Sequence, residues 1–71
     1  MSRLGEDYDR IYEVRGELEV DVYGSPMLRW ATARLCFMRH LGKRFDEGTI
    51  VSLGVDPHDH MVERFRYVGP R

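Results

Sequence analysis

Residues 11–23, IYEVRGELEVDVY, alternate apolar and polar side chains along their whole length, and this alternation decides the fold. The apolar residues that share one phase are Tyr12, Val14, Leu18, Val20 and Val22. The acids that share the other phase are Glu13, Glu17, Glu19 and Asp21. A period of two is typical of a β-strand with one buried face and one solvated face. The segment therefore predicts sheet structure whose outer surface is acidic.

The segment is too long for one straight strand, because it would span about 43 Å whereas typical strands span about 17–20 Å. Two arrangements are consistent with the pattern: one strand bent or bulged at Gly16, or a hairpin whose three-residue loop covers residues 15–17. A two-residue loop at Arg15 and Gly16 would pair Glu13 with Leu18 and mix the two phases, so we do not expect it.

A helix is expected next. Ser25 can cap the free N–H groups at its start, and Pro26 is well tolerated at the first helical position. The pattern predicts helix over residues 26–41, with Gly42 as a left-handed terminating residue.

Two further strands are expected at residues 49–55 and about 60–68, joined by a turn. In the first of them Val51, Leu53 and Val55 are expected to point inward, and the second leaves its buried face undecided. The order strand (single or split), helix, strand, strand predicts an α+β fold with one helix packed on a small antiparallel sheet. Residues 1–71 are expected to form one domain, with a flexible N-terminus at residues 1–8.

The helix carries two apolar stripes about 120° apart. The first consists of Leu28, Ala31, Leu35 and Met38, and the second of Trp30, Phe37 and Leu41. Because packing on a single sheet needs only one stripe, we interpret the second as a partner-binding surface with Arg34 as its charged anchor. The alternative is that a twisted sheet covers both stripes and that Arg34 extends to the edge or pairs with an acid of the first strand.

Charge is divided unevenly along the chain, whose net charge is −1. Residues 1–23 hold seven acids and three bases, whereas residues 24–71 hold five acids and eight bases. This segregation favours a protein that binds a partner. The acids Glu17, Glu19 and Asp21 either contact that partner or are simply solvated on the outer face of the sheet. A small nucleic-acid-binding or regulatory module is the alternative function. Its candidate phosphate contacts are Arg39, Lys43, Arg44, Arg64 and Arg66.

The residue types that carry catalysis or bind metals form no recognisable site. Cys36 and His40 are spaced one helical turn apart, but no acid is placed to orient the histidine. His58 and His60 lie in a turn-like segment with no distant ligand to complete a metal shell. We therefore expect no enzyme activity, no cofactor and no metal. The sequence has no signal peptide and no apolar run that could span a membrane, so a cytoplasmic location is expected.

The layout of the chain resembles that of small phage-encoded anti-CRISPR proteins of β-α-β-β build. The likeness covers about residues 11–68 and is carried by Tyr23-Gly24 at the end of the first strand, Ala31-Thr32 in the helix, Phe45, and Gly48-Thr49-Ile50 at the start of the hairpin. It implies an inhibitor that binds a bacterial CRISPR-type defence complex in the host cytoplasm and blocks access to DNA. The sequence thus predicts a non-enzymatic protein-binding module, and its small core leaves a homodimer as a further expectation.

Overall fold

The computed structural model describes residues 10–70, which contain one α-helix and four strands. Strand β1 spans Ile11–Val14, β2 spans Glu17–Tyr23, helix α1 spans Pro26–Leu41, β3 spans Ile50–Asp56 and β4 spans Asp59–Tyr67. Short 3-10 turns at Gly42–Arg44 and Glu47–Thr49 connect α1 to β3. The strands form one antiparallel sheet in the order β1-β2-β4-β3. The predicted α+β fold is confirmed, and the expected flexible segment at residues 1–8 lies outside the described residues.

The first hairpin differs from both expected arrangements, because a two-residue loop joins β1 to β2. Arg15 and Gly16 have positive φ angles of 54° and 84°, as the turns that match the twist of a hairpin require. The register pairs Glu13 with Leu18, so the phase of the alternation reverses at the turn. The rejection of a two-residue loop was therefore wrong.

The reversed phase places Tyr12 on the outer face of the sheet, away from α1. Tyr12 pairs with Glu19 across the hairpin, and its hydroxyl donates to Asp21 Oδ1 at 2.9 Å. Ile11 takes the inner position and packs against the core. The mixed pairing is stable because the apolar ring of Tyr12 ends in a hydroxyl that an acidic surface can bind.

Strand β4 lies between β2 and β3, and the structure settles which of its faces is buried. Phe65 and Tyr67 face α1 and are buried in the core. Arg64 and Arg66 project from the opposite face, where they meet acids of β2. The core of the molecule therefore lies between β4, β2 and α1.

Strand β3 forms one edge of the sheet, and α1 packs mainly on β1, β2 and β4. The β3–β4 register slips between Ser52 and Gly54. The prediction that Val51, Leu53 and Val55 point inward is wrong, since all three are exposed. Val51 pairs with Arg66, and Leu53 and Val55 line a concavity together with Arg64 and Arg66, so these side chains lie on the face of the sheet that α1 does not cover.

Helix α1 packs on the sheet through a stripe that recurs every four residues. Its buried members are Arg29, Ala33, Phe37 and Leu41. The ring centroid of Phe37 lies 5.7 Å from that of Tyr67. Arg29 reaches across to β4, where its Nε donates to Glu63 Oε1 at 2.8 Å.

The ends of α1 agree with the predicted bounds, although one predicted cap is missing. Pro26 occupies the first turn and Gly42 has a φ of 61°. Ser25 makes no side-chain cap, and only its carbonyl oxygen takes part, accepting from the N–H of Arg29 at 2.8 Å. Arg29 also donates from Nη1 to the carbonyl oxygen of Gly24 at 2.8 Å, so this side chain fastens the start of the helix.

Candidate protein-binding surface

The face of α1 that points away from the sheet is apolar. Met27, Leu28, Leu35 and Met38 are all exposed there, Met27 by 82% and Leu28 by 54%. At 100° per residue these side chains, with Ala31 between them, fall within an arc of about 100°. They extend over about 16 Å of the helix axis. We call this surface, Met27, Leu28, Ala31, Leu35 and Met38, the outer helix face.

The outer helix face exists because the helix has two apolar stripes and the sheet covers only one. The covered stripe contains Phe37 and Leu41, which are 0% and 5% exposed. The expectation that these two residues face a partner is therefore corrected: they are core residues. The alternative, that the sheet covers both stripes, fails because Leu28 and Leu35 remain exposed. A contiguous apolar surface of this kind on a small protein is a candidate interaction site.

Trp30 and Arg34 lie at the margin of the outer helix face. The Trp30 ring packs on Phe65, with centroids 5.7 Å apart, and 40% of the residue remains exposed. Arg34 Nη1 lies 3.4 Å from Glu47 Oε1 in an exposed ion pair, so its partner is not an acid of the first strand. Both side chains are accessible to a molecule that docks on the helix.

The candidate acids of β2 lie on the other side of the molecule, on the outer face of the sheet. Asp21 accepts from Nε and Nη2 of Arg64 at 2.7 and 3.1 Å. Glu19 Oε2 accepts from Nε and Nη2 of Arg66 at 2.9 and 2.7 Å. Glu17 Oε1 lies 3.4 Å from the same Nε. The two arginines therefore pair with all three acids, so none of these five charges is free.

Tyr12 shields part of this ion-pair network from water. Glu19 is only 2% exposed, and the guanidinium carbon of Arg64 lies over the Tyr12 ring, 6.0 Å from its centroid. Burial, reinforced by the hydrogen bond to Asp21 and by its negative charge, raises the pKa of Tyr12 to about 12. The hydrogen bond from Arg64 to the same carboxylate raises the pKa of the guanidinium.

A concavity of about 340 Å³ lies over this network. Its apolar walls include Val14, Leu53, Val55 and Pro57. Because the charged groups of its floor already pair with one another, a small ligand would have to break an ion pair to gain a charged contact. The concavity is therefore a weaker candidate than the outer helix face.

The candidate phosphate-binding residues lie on two different sides of the molecule. Arg64 and Arg66 belong to the ion-pair network on the outer face of the sheet. Arg39, Lys43 and Arg44 are exposed at the C-terminal end of α1 and in the turn after it. Since the sheet separates the two groups, they do not form one continuous basic surface.

The residues considered for catalysis or metal binding lie in two places, a depression beside α1 and the β3–β4 turn. Cys36 and His40 border a depression of about 380 Å³, and no acid is among the described residues that line it. At the β3–β4 turn Asp56 accepts from the backbone N–H of His58 at 2.9 Å, and Asp59 from that of Met61 at 3.0 Å. These two carboxylates therefore stabilise the turn.

Two general features concern residues 10–70 as a whole. Within this range no three His, Cys, Asp or Glu side chains come together as a metal site would require. The single α-helix in the same range is neither long nor apolar enough to cross a membrane.

Sequence reasoning expected Phe37 and Leu41 to be exposed, whereas these two residues of α1 are buried. Leu28, Leu35 and Met38 have the composition of a core stripe, whereas the true core stripe includes a charged residue, Arg29. The signal that was available is the presence of two apolar stripes, because a helix on one side of a small sheet exposes one of them.

Comparison of the chain with protein-family models, curated proteins and solved structures finds no match.

Proposed function

We propose that the protein is a non-enzymatic protein-binding module whose partner docks on the outer helix face. The observation that carries this proposal is the exposure of four large apolar side chains on one face of α1: Met27, Leu28, Leu35 and Met38. Burial against a partner would remove this surface from water, at about 25 cal/mol per Å² of apolar area. Methionine adapts to partners of different shape, and Trp30 and Arg34 are of residue types enriched in binding hot spots.

Affinity capture with matched variants tests the docking surface. Leu35→Glu and Val68→Glu each place a carboxylate at an exposed apolar position, the first in the outer helix face and the second beyond the end of β4. We expect both variants to keep the wild-type Tm and only Leu35→Glu to lose the captured protein. A protein retained equally by both variants, or no captured protein at all, would contradict the proposal.

The class of target is proposed from the resemblance to anti-CRISPR proteins. The protein would act as a phage-encoded inhibitor that occupies a surface of a CRISPR-type nucleic-acid-binding complex in the host cytoplasm. A mobility-shift assay with a purified complex and its target DNA tests this target class. We expect a stoichiometric amount of wild-type protein to reduce DNA binding and Leu35→Glu to leave it unchanged. DNA binding that is unaffected by the wild-type protein would exclude that complex as the target.

Homodimerisation is a second proposal, supported by the edge strand β3. Its residues from Ile50 to Val55 include no charge, although charged side chains commonly protect natural edge strands. The slipped register between Ser52 and Gly54 limits pairing with a second copy to the residues before it. Light scattering over a range of concentrations tests the proposal, with Val51→Lys as the disrupting variant. A monomer mass at every concentration would contradict it.

A further inference from the structure

The basic residues of α1 and the turn after it fall into two groups. Two of them pair with acids, Arg29 with Glu63 and Arg34 with Glu47. The other three are exposed, and no carboxylate within residues 10–70 forms an ion pair with them: Arg39, Lys43 and Arg44. We call these three residues the basic end.

The basic end continues the outer helix face. Arg39 lies one turn beyond Leu35 and about 40° around the helix axis from it. Lys43 and Arg44 follow in the 3-10 turn Gly42–Arg44. A segment that lies along α1 therefore meets apolar side chains over most of its length and cations at the C-terminal end of the helix. The helix has no acidic residue of its own to neutralise these cations.

We propose that the partner segment that docks on the outer helix face is acidic at one end and that its carboxylates pair with the basic end. This inference rests on the proposed function and names the chemistry of its partner. Guanidinium groups bind carboxylates through two parallel hydrogen bonds, which adds orientation to attraction. The segment is thus oriented with its acidic end over the C-terminus of α1, because the opposite orientation would leave the charges apart.

The surroundings of the basic end favour an acidic protein over a nucleic acid. The nearest aromatic residue along the chain, Phe45, is half-buried and stacks on Tyr67 with centroids 6.1 Å apart, so it offers no free ring to a base. A longer phosphate backbone would also need further cations beyond the basic end. Arg10 borders the same depression as Arg39 and adds one cation, whereas Arg64 and Arg66 are paired on the other side of the sheet.

The charge of α1 also disfavours a second copy as the occupant. The accessible arginines of the helix are Arg34 and Arg39, and the helix has no acid, so antiparallel packing of two copies would bring the two Arg34 side chains together with no carboxylate of either helix between them. Arg34 lies at the margin of the outer helix face and about midway along its length, close to where the axes of two antiparallel helices would cross. A partner with carboxylates removes this repulsion.

Synthetic peptides test the inference on the full-length protein. The first peptide is an amphipathic helix with leucines at positions i, i+4, i+7 and i+11 and a cluster of glutamates at one end, and the second has glutamines in place of the glutamates. Trp30, the single tryptophan of the chain, lies at the margin of the face and reports binding by its fluorescence. We expect the glutamate peptide to bind about tenfold more tightly than the glutamine peptide, with the difference lost at high salt.

Two charge reversals identify the residues involved. Arg39→Glu changes the basic end, and Arg15→Glu changes an exposed base at the β1–β2 turn. We expect Arg39→Glu alone to remove the preference for the glutamate peptide, with the Tm of both variants measured to exclude loss of fold. Equal binding of the two peptides to the wild-type protein, or an equal effect of the two reversals, would overturn the inference. Tighter binding of a single-stranded or duplex DNA than of the glutamate peptide would overturn it in favour of a nucleic acid.

The same experiment separates this inference from the proposed function. If Leu35→Glu binds neither peptide and the wild-type protein binds both equally, the docking surface is supported and the acidic segment is rejected. Unchanged binding of both peptides in Leu35→Glu would instead reject the docking surface.

Discussion

Arg29 of α1 and Glu63 of β4 form an ion pair that the rest of the molecule almost completely covers. Their Nε and Oε1 atoms lie 2.8 Å apart, and the two side chains are 7% and 15% exposed. The second carboxylate oxygen of Glu63 accepts from the hydroxyl of Ser52 at 2.6 Å. Both charges therefore have fixed partners, and the pair joins the first turns of the helix to the central part of the sheet.

Removal of one partner of this pair is expected to be costly. Arg29→Met leaves the Glu63 carboxylate buried without its cation, which we expect to lower the free energy of unfolding by about 3–5 kcal/mol. The double variant Arg29→Met, Glu63→Leu should be more stable than the single variant, because no charge is then left unpaired. Urea unfolding measures both. Arg34→Met is the matched control, since it removes the exposed pair with Glu47 and should change stability by about 0.5 kcal/mol or less. Equal effects of the two arginine substitutions would contradict this account.

Truncation of a side chain should lower the free energy of unfolding much more on the sheet-facing side of α1 than on the outer side. Phe37→Ala removes a fully buried ring and is expected to cost about 3–5 kcal/mol of unfolding free energy. Leu35→Ala removes an exposed side chain from the outer helix face and is expected to change stability by about 0.5 kcal/mol or less. Denaturant unfolding of the two variants checks which side of the helix holds the core. A large loss in Leu35→Ala would show that the sheet covers the other stripe.

The β1–β2 turn is expected to respond to changes in backbone preference. Arg15 has a positive φ, which costs about 1–2 kcal/mol for most residues and less for asparagine. Arg15→Asn should therefore raise the Tm. Gly16→Ala should lower it, and only through the backbone, since no atom lies within 4 Å of the position its Cβ would take. Unchanged Tm values in both variants would contradict the two-residue turn.

Tyr12 should make stability depend on pH in the alkaline range. Its pKa in the folded protein is about 12, above the ordinary value of 10.0, because burial and Asp21 favour the neutral phenol. A group with a raised pKa stabilises the fold fully below its unfolded pKa and loses this contribution as the pH rises, here from about 10 to about 12. The difference in unfolding free energy between wild type and Tyr12→Phe should therefore shrink across this window. A stability difference that stays constant across this window would contradict the prediction. So would a pH titration of the tyrosine absorbance in which Tyr12→Phe removes no step near pH 12.

The order of the elements and the ends of the helix were predictable because they depend on local signals. Pro26 and Gly42 mark the ends of the helix by their own backbone preferences. The face of each element was harder to predict, because it depends on contacts between distant parts of the chain. Arg29 is buried only because Glu63, 34 residues away, receives it. The side of β1 on which Tyr12 lies likewise depends on Asp21 and on the unusual φ of Arg15.

The candidate site was predictable in kind but not in position. The sequence shows that α1 has more apolar surface than one sheet can cover, and this excess is the basis of the proposed docking surface. Which stripe is left exposed follows from the buried ion pair, since the stripe that contains Arg29 must face Glu63. Composition alone favours the opposite choice, because Leu28 and Leu35 are more apolar than an arginine.

The division of α1 into a core side and an outer helix face has a consequence for how the sequence of this protein can evolve. Phe37 and Leu41 are constrained by the packing of the sheet, whereas Met27, Leu28 and Leu35 contribute little to the fold. Substitutions on the outer side are therefore expected to cost less stability than core substitutions, which would let the proposed docking surface follow changes in a partner. Homologues of this protein would then be expected to share their sheet-facing residues and to differ most along the exposed side of the helix.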